Sequence, residues 1–385
     1  MKIAQYLRES PWGDVTPQTL AKGMGGRETA VVQIAEHLSD MGHEVITYAP
    51  CTKTIKEDKF NGGSSTYTSP ENIVGGVTVT RPDLLITWEE PRLAHMDDIR
   101  EACDAIVMGM QVAHVVPDEV AKASLSKLDR VVCLSDYAAN VLANDNKKFL
   151  ERSNISIIPN CVDINLFPSE RPKKADKPTA IYSSSPDRGL QNLVHSWPLV
   201  KEILPDAELH ICYGVENWFK HALWNHSRDG QHALEIRDFL GFDNNLQQTR
   251  KAYDGVIYHG KVGQKEIRSL MAASHILAFP CETQSPTETG CITVVEALAS
   301  YTHPVLGKAD CLEPDYSEVA TFIDLPVDHT EYAELLVKGF HNELPNQEIK
   351  INSGRKLAEE RTWSNAAAKY VELAQEIIDA KALVV

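Results

Sequence analysis

Two glutamates eight positions apart, Glu288 and Glu296, are the residues of this chain whose type and spacing most directly suggest a chemistry. They span a predicted loop that enters a helix of mostly small and apolar residues, from Cys291 to Leu298. In an α-helix eight residues turn the side chain by about 80° and advance it by about 12 Å, so the two carboxylates cannot share one proton or one metal ion. A carboxylate can accept hydrogen bonds from two neighbouring sugar hydroxyls. The pair therefore suits the two ends of an elongated ligand.

The start of this helix is predicted to bind a phosphate. Thr287 or Thr289 offers a hydroxyl for the N-cap. Unpaired backbone N–H groups would then fall at three residues: Gly290, Cys291 and Ile292. A helix N-terminus has about half a positive charge and unpaired donors, which makes it a ready site for phosphate. A phosphate flanked by two sugars is a nucleotide sugar, so the segment predicts a nucleotide-sugar site.

The glutamate pair, followed by Ala-Leu-Ala, resembles the donor signature of the retaining glycosyltransferases of family 4. Further resembling pieces occur in the family's order along most of the chain: Gly25-Gly26-Arg27-Glu28 with Gly42–Val45, Val131–Ser135, Ile158–Asp163, Asp187–Leu190 and His259–Val262. Each piece alone is weak, and their shared order gives the resemblance its weight. It implies an α/β protein of GT-B architecture, with two Rossmann-like domains facing across a cleft and a C-terminal helix that crosses back to the first domain.

The chain itself predicts two domains, because its 385 residues exceed the roughly 250–300 at which one core usually stops growing. Short apolar runs alternate with helical periods in both halves, which is typical of parallel sheets covered by helices. We expect an N-terminal domain over 1–168, a C-terminal nucleotide-sugar-binding domain over 178–362, and a final helix over 364–385, capped by Ser364, that joins the first domain. The polar, proline-rich stretch 168–178 reads as a linker. The long segment 216–254 is either a lid or a pair of helices that closes the core.

The resemblance assigns Arg188 as a clamp on the donor diphosphate. The residue types agree, because a cation at the first turn of a helix is unfavourable unless it faces a negative ligand, and a guanidinium suits bidentate phosphate contacts. Asp187 is the predicted cap of that helix. The family has a basic pair here, whereas this chain has serines upstream of Arg188, so part of the clamp must come from elsewhere, such as Lys261 or Lys265.

The remaining site residues also follow from the resemblance. The glycines Gly25 and Gly26 precede the first long helix and would let the backbone approach the donor sugar or its phosphate. His114 follows a predicted strand, at the edge of the sheet where ligands bind in open parallel sheets, and would touch the donor sugar. Lys261 and Val262 would lie against the nucleotide base. Departures from the family pattern include Thr289-Gly290-Cys291 in place of Gly-Phe-Gly, which leaves the donor's identity open.

The predicted activity is transfer of a sugar from a nucleoside diphosphate sugar, a UDP-sugar rather than a GDP-sugar, to an acceptor hydroxyl with retention of anomeric configuration. Glu288 would hold the sugar and Glu296 the ribose. The backbone amides from Gly290 to Ile292 would lie along the diphosphate, and Thr289 would also bind the donor. The acceptor could be a small molecule, a glycan or a lipid-linked sugar. Two alternatives remain open: a nucleotide-sugar epimerase of similar shape, which would need further acid and base residues, and a catalytically silent carbohydrate-binding relative.

Composition limits the possible partners. A formal net charge of −16 argues against nucleic-acid binding. The sequence contains no Asp-x-Asp and no Cys-x-x-Cys, so we expect neither a metal site nor a cofactor, and the eight cysteines should be mostly buried thiols. No apolar run reaches the roughly 18 residues of a membrane span, and the N-terminal residues read as a strand, so we expect a cytoplasmic protein. The oligomeric state stays open.

Overall fold

The chain divides into two compact units, each built on its own sheet. The structure is a computed structural model that describes residues 1–114, 118–216, 218–219, 222, 228–283 and 287–383. The first unit contains residues up to Asp163, residues 287–290 and the C-terminal residues from Arg361. The second contains 164–283 and 291–360. The α/β class expected from the sequence is confirmed, while the predicted boundaries at 168 and 178 stay a prediction.

The first unit has an eight-stranded sheet in the order β3-β4-β2-β1-β5-β6-β7-β8. All neighbouring strands are parallel except the edge pair β3 and β4. Its strands are β1 (Lys2–Tyr6), β2 (Glu44–Tyr48), β3 (Ile55–Asp58), β4 (Ser64–Thr68), β5 (Leu84–Trp88), β6 (Ala105–Gly109), β7 (Arg130–Cys133) and β8 (Ile155–Ile157). The strands β5 and β6 are buried along their whole length, as expected for parallel strands covered on both faces.

Helices cover this sheet and begin at recognisable caps. Their bounds are α1 (Pro17–Leu20), α2 (Gly26–Asp40), α3 (Ile73–Thr80), α4 (Asp97–Ala102), α5 (Glu119–Ser124) and α6 (Asp136–Asp145). Short 3-10 turns lie at Pro70–Asn72, Pro91–His95, Leu125–Lys127 and Arg152–Asn154. The hydroxyl of Ser135 accepts a hydrogen bond from the amide of Ala138, so it caps α6, and Thr16 caps α1 in the same way.

The second unit has a six-stranded sheet, parallel throughout, in the order β11-β10-β9-β12-β13-β14. Its strands are β9 (Thr179–Tyr182), β10 (Glu208–Ile211), β11 (Val256–Tyr258), β12 (Ile276–Phe279), β13 (His303–Gly307) and β14 (Thr321–Ile323). In order of the chain this is 3-2-1-4-5-6, the strand order of the dinucleotide-binding Rossmann fold. The apolar runs of this half predict strands over 179–183, 208–212, 256–258, 275–279 and 303–306. The third has the observed bounds, and each of the others differs from the observed strand by one residue at one end.

The helices of the second unit are α7 (Leu190–Ile203), α8 (Arg228–Phe239), α9 (Gln264–Ala273), α10 (Ile292–Ala299), α11 (Leu312–Tyr316), α12 (His329–Phe340) and α13 (Gln347–Glu360), with a 3-10 turn at Ile164–Leu166. The helix α8 belongs to the long segment 216–254. Its residues Ala233 and Ile236 are fully buried, as are Phe219 and Leu240 on either side. These described parts close the core, while 217, 220–221 and 223–227 lie outside the described residues.

A last helix, α14 (Trp363–Ala382), returns the chain to the first unit, where it packs against α2 and β6. Its cap is Thr362, whose hydroxyl accepts from the amide of Asn365. The expected cap at Ser364 is therefore wrong. Trp363 is buried in the first unit and begins the helix, and Thr362 is the nearest preceding residue with a side chain that can accept.

The predicted linker is anchored to the second unit rather than free. The ammonium group of Lys174 donates to the carbonyl oxygens of Ala272 and Ser300 and to the hydroxyl of Thr302, at 3.0–3.2 Å. The two carbonyls lie at the C-terminal ends of α9 and α10, where a cation is favoured by the helix dipole. The amide of Ala175 adds a hydrogen bond to Ala273. The stretch is therefore a strap across two helix ends.

Seven of the eight cysteines are buried, in agreement with the expectation from the sequence. Burial raises the pKa of Cys133 and of Cys161 to about 12, so these thiols stay protonated at neutral pH. Within the described ranges, no helix is both long and apolar enough to cross a membrane.

The contribution of the C-terminal helix to the stability of the first unit can be measured by substitution of Tyr370. Tyr370 is buried, and its ring packs 6.2 Å from that of Trp88. We expect Tyr370→Ala to lower the free energy of unfolding of this unit by about 3–5 kcal/mol, because a large buried ring leaves a cavity. Lys369→Ala, at the exposed neighbouring position, should change it by less than about 0.5 kcal/mol. Urea unfolding followed by tryptophan fluorescence makes the comparison, and equal effects would contradict the packing role.

Candidate functional site

The reversal of strand order in the second unit defines its candidate site. The first strand of this sheet, β9, has β10 on one side and β12 on the other. The connections after β9 and β12 therefore leave in opposite directions, and a crevice opens at the carboxyl ends of these two strands, where open parallel sheets bind ligands. Arg188 follows β9, and α10 follows β12. The fold thus brings two of the predicted donor elements to one edge.

The helix α10 begins at Ile292, with Cys291 as its N-cap and no side-chain hydrogen bond at the cap. The expected threonine caps are therefore wrong, and Gly290 lies two residues before the first helical residue. Because the first four amides of an α-helix have no partner within the helix, the donors of this terminus belong to residues 291–294. Cys291 and Ile292 keep their predicted position, and the helix simply starts later than expected.

The loop after β9 lies against this helix terminus. The hydroxyl of Ser183 hydrogen-bonds that of Thr293, in the first turn of α10. Gly189 has a φ of +91°, and a Cβ at this position would lie 2.0 Å from the carbonyl oxygen of Pro280, just after β12. Only glycine fits here, because the backbones approach closely and the φ is positive. The loop bearing Arg188 is thereby fixed at the switch in strand order.

Arg188 forms an ion pair with the adjacent Asp187, and its side chain is 23% exposed. The predicted cap at Asp187 is wrong, since Gly189 is the N-cap of α7 and makes no side-chain hydrogen bond there. Asp187 instead contacts Arg188 and the hydroxyl of Ser185. Part of the arginine charge is thus balanced within the protein, and the side chain stays partly exposed at the edge of the sheet.

Glu296 is buried inside α10, 8% exposed. Burial raises its pKa to about 7, and the positive charge of Arg268, on α9, counteracts part of that shift. Among the described residues no hydrogen bond to its carboxylate is found. Arg268 was not predicted from the sequence. The sequence feature that could have indicated Arg268 is its spacing: it follows Lys265 by about one helical turn, on the helix that comes after Lys261.

Lys261 and Val262 follow β11, the edge strand of the second sheet. Lys261 is exposed and Val262 half-buried. A Cβ on Gly214, which follows β10, would lie 3.3 Å from Cβ of Lys261. The carboxyl ends of β10 and β11 are therefore adjacent, and β10 separates β11 from β9 in the sheet. The contact of these residues with a nucleotide base stays a prediction.

The segment 287–290, which includes Glu288, belongs to the first unit by its contacts. Glu288 is 9% exposed, and Thr289 is 3% exposed. The hydroxyl of Thr289 donates to the carbonyl of Gln111 at 2.8 Å. Thr289 is thus placed to orient its own backbone, and its hydroxyl is already used within the protein. Ser285 and Pro286, at the start of the predicted motif, lie outside the described residues.

In the first unit the strand order reverses at β1, which lies between β2 and β5. Gly25 and Gly26 lie in the connection that follows β1. Gly25 is the N-cap of α2, and Gly26 is its first residue. The first turn already contains a buried carboxylate, that of Glu28, which pairs with Arg27 at 2.9 Å. Arg27 also pairs with Glu89, just after β5, at 2.9 Å. This ionic cluster was missed by the sequence analysis, because its third member is distant along the chain.

His114 lies five residues after the end of β6, and its side chain is 45% exposed. Its Nδ1 is 2.8 Å from Oδ2 of Asp145, at the last residue of α6. The carboxylate fixes the ring orientation and leaves Nε2 as the remaining nitrogen. Contact with a donor sugar stays a prediction for this residue.

The described residues contain no group of three His, Cys, Asp or Glu side chains that could hold a metal ion. The absence of a metal from the reaction stays a prediction.

Comparisons with known proteins give the fold but no sequence family. No family model and no curated protein matches the chain. Solved glycosyltransferase structures match it over nearly its whole length. Sucrose-phosphate synthase from Thermosynechococcus elongatus is 16% identical, with a TM-score of 0.67 over 98% of this chain and 99% of that one. Anabaena HepE, solved with UDP-glucose, is 15% identical, with a TM-score of 0.62 over 99% of both chains.

A trehalose-6-phosphate synthase, studied for glycosyl transfer with retention, is 9% identical, with a TM-score of 0.65 over 98% of this chain and 99% of that one. These neighbours are GT-B proteins, and the chain has the GT-B fold. The expected fold class is thereby confirmed. Membership of family 4 stays a prediction, because identities this low show the fold alone.

The buried Glu296 should make stability depend on pH. Its pKa is raised from an ordinary 4.5 to about 7, so between these values the unfolded chain loses a proton that the folded chain keeps. Folding of the ligand-free protein therefore becomes less favourable as pH rises from 4.5 to 7, and the cost is constant above. We expect Glu296→Gln to stabilise the protein above pH 7, by an amount on the order of 3 kcal/mol, and to have little effect near pH 4.5.

Melting temperatures of the two proteins from pH 4.5 to 8 test this expectation. Glu372→Gln, at an exposed position of α14, is the matched control and should show no such dependence. A difference between Glu296→Gln and the parent that is independent of pH would contradict a carboxylate whose pKa is raised by burial.

Proposed function

We propose that this protein is a retaining glycosyltransferase that uses a nucleoside diphosphate sugar. The observation that carries the proposal is the N-terminus of α10 at the reversal of strand order, with a buried glutamate inside the helix and Arg188 in the adjoining loop. Helix amides and a guanidinium suit a diphosphate. A buried carboxylate for which the described residues supply no hydrogen bond suits a pair of ribose hydroxyls, which would act as its donors.

Each part of the donor has a matching group. The diphosphate would lie at the amides of residues 291–294 and Arg188, with Lys261 as a further cation. The ribose would bind Glu296, which hydrogen bonds from two hydroxyls would shift towards the ionised form. The donor sugar would bind Glu288, which precedes the helix terminus by only a few residues. Gly25, Gly26 and His114 are proposed to contact the same sugar.

The ionic cluster near Gly25 favours a neutral group there. The N-terminus of α2 already has the carboxylate of Glu28 in its first turn, which offsets the positive end of the helix dipole. A second negative group would meet that carboxylate and Glu89, so a sugar hydroxyl is a better partner for these glycines than a phosphate. The diphosphate is better served by α10, which has no acidic residue in its first turn.

In this mechanism the enzyme stabilises the leaving diphosphate. Negative charge grows on the diphosphate as the glycosidic bond breaks, and fixed donors aimed at that charge lower the barrier. Arg188 and the amides of α10 would supply this stabilisation without reorganising. The acceptor hydroxyl would attack from the face that the diphosphate leaves and would give its proton to the diphosphate, so the configuration is retained. The metal-independent character of this step is part of the proposal.

The donor and acceptor are proposed by class. Binding of UDP-glucose by one structural neighbour supports a UDP-sugar in preference to a GDP-sugar. The neighbours named for sucrose-phosphate and trehalose-6-phosphate synthesis support a hydroxyl acceptor on a sugar, which a small molecule, a glycan or a lipid-linked sugar could provide. The proposed location is the cytoplasm, where nucleotide sugars are soluble substrates.

Incubation with labelled nucleotide sugars tests the proposal directly. Release of free nucleoside diphosphate, with transfer or slow hydrolysis of the sugar, is the expected result. Formation of an epimer with no acceptor present would identify an epimerase, and binding with no turnover would identify a silent carbohydrate-binding protein.

Glu288→Gln should lower turnover by roughly ten- to hundredfold. The change keeps the volume and removes the charge from an acceptor of a sugar hydroxyl, and hydrogen bonds to charged groups contribute about 1.5–3 kcal/mol. Glu372→Gln is again the control of the same chemistry at an exposed position. Turnover number and circular dichroism together make the test, and near-normal turnover in a folded Glu288→Gln protein would remove this residue from the mechanism.

Arg188→Ala and Glu296→Ala should weaken donor binding in different ways. Loss of Arg188 should weaken nucleoside diphosphate and deoxynucleoside diphosphate equally, because its partner is the diphosphate. Loss of Glu296 should abolish the preference for ribose over deoxyribose, because its partners are the ribose hydroxyls. Isothermal titration with both ligands measures the two ratios. If the Glu296 variant discriminates as well as the parent, α10 does not bind the ribose.

A further inference from the structure

Three hydrogen bonds fix the backbone that follows Glu288. The hydroxyl of Ser135 donates to the carbonyl of Thr289 at 2.8 Å. The hydroxyl of Thr289 donates to the carbonyl of Gln111 at 2.8 Å. The side-chain amide of Asn160 donates to the carbonyl of Gly290 at 2.8 Å. The two residues after Glu288 are therefore held at two backbone carbonyls and one side chain.

The anchors come from adjacent strands of the first sheet. Gln111 follows β6, Ser135 follows β7 and Asn160 follows β8, and these strands are neighbours in the sheet. Parallel strands end at one edge, so the three residues face the same segment because of the topology. The segment is thus attached directly to residues that follow three neighbouring strands of the sheet.

The anchored segment has no room to shift towards the sheet. A Cβ on Gly290 would lie 2.6 Å from Cβ of Leu134, the residue before Ser135. Ser135, Asn160 and Thr289 are each at most 5% exposed, so water competes little for their hydrogen bonds, and a lost partner leaves a buried carbonyl or hydroxyl unsatisfied.

We propose that Ser135, Asn160 and Thr289 are positioning residues that orient the carboxylate of Glu288. The inference rests on the proposed function, in which Glu288 binds the donor sugar. A displacement of about 1 Å at a group that binds the reacting part of a substrate costs up to 100-fold in rate. Ser135 and Asn160 bond to the backbone on the C-terminal side of Glu288 and have no predicted contact with the donor, and the hydroxyl of Thr289 is bonded to Gln111. The effect of these three hydrogen bonds on turnover would therefore pass through the glutamate.

Variants of nearly constant volume separate the effect of each hydrogen bond on the position of Glu288 from its effect on the stability of the protein. Asn160→Leu removes the donor to Gly290, and Oδ1 of Asn160 has no hydrogen-bond partner within the described part of the chain. Thr289→Val removes the donor to Gln111 at constant volume, while Thr289→Ser keeps it. Ser135→Ala removes both an anchor and the cap of α6, so Thr362→Ala, which removes the cap of α14 only, is its matched control.

The expected result is a fall in kcat of tenfold or more for Asn160→Leu and Thr289→Val, with the Kd for UDP within about twofold of the parent, because the diphosphate contacts lie on α10 and Arg188. Thr289→Ser should recover part of the loss. Glu288→Gln made in the Asn160→Leu protein should cost less than in the parent, since two changes that act through one group are not additive. Thr362→Ala should lower the melting temperature as Ser135→Ala does and leave kcat unchanged.

Hydrogen exchange of peptides covering 287–292 gives a readout that needs no turnover, and faster exchange in Asn160→Leu and Thr289→Val is expected. Unchanged kcat, full additivity with Glu288→Gln, or unchanged exchange would each overturn the inference. A parent protein that turns over no nucleotide sugar would overturn the proposed function, and the exchange experiment would still decide whether the anchors hold the segment.

Discussion

The second unit depends on one topological constraint, the reversal of strand order on either side of β9. Parallel strands require crossover connections, and because these leave β9 and β12 in opposite directions, a crevice opens within this unit at the carboxyl ends of the two strands. The helix terminus of α10 and the loop bearing Arg188 both lie at this opening. Gly189 permits the close approach of the two strand ends, because it has no Cβ to meet the carbonyl oxygen of Pro280. The position of the loop bearing Arg188 therefore depends on this glycine.

A cost in stability accompanies this arrangement. Glu296 is buried with no hydrogen bond from the described residues, and its raised pKa expresses the unfavourable transfer of a carboxylate out of water. Most other residues of α10 are apolar, including Val294, Val295 and Leu298, and an apolar side chain would be more stable at 296. A group retained at such a cost is expected where it binds a ligand, whose donors replace the lost water.

The strap at Lys174 stabilises the opposite end of the same helix. Its ammonium group binds the C-terminal carbonyls of α9 and α10. The C-terminal end of α10 is therefore held in place, and its N-terminal amides lie at the opposite end of the helix. Arg268, on α9, counteracts part of the raised pKa of Glu296. The two helices thus act as a pair: one supplies the carboxylate and the amides, and the other supplies the compensating positive charge. Neither the strap nor the charge was expected from local sequence.

Local sequence predicts the α/β class and most strand positions, because an apolar run of four or five residues between helical periods is a local property. It also located α10 and Arg188 through short motifs. Cap positions were less accurate: Cys291, Gly189 and Thr362 are the observed N-caps. A cap depends on where packing allows the first turn to begin, and several nearby residues could serve equally well in an isolated chain.

Which distant residues come into contact depends on the tertiary structure. Ser135, Gln111 and Asn160 are separated from Thr289 and Gly290 by more than a hundred positions, and no local pattern links them. The pairing of Arg27 with Glu89 is of the same kind, as is the effect of Arg268 on Glu296. Hydrogen bonds and charge pairs of this type arise from strand order, which brings the ends of chosen strands together. The sequence specifies which hydrogen-bonding and charged side chains are present, and the strand order of the sheet determines which of them come into contact.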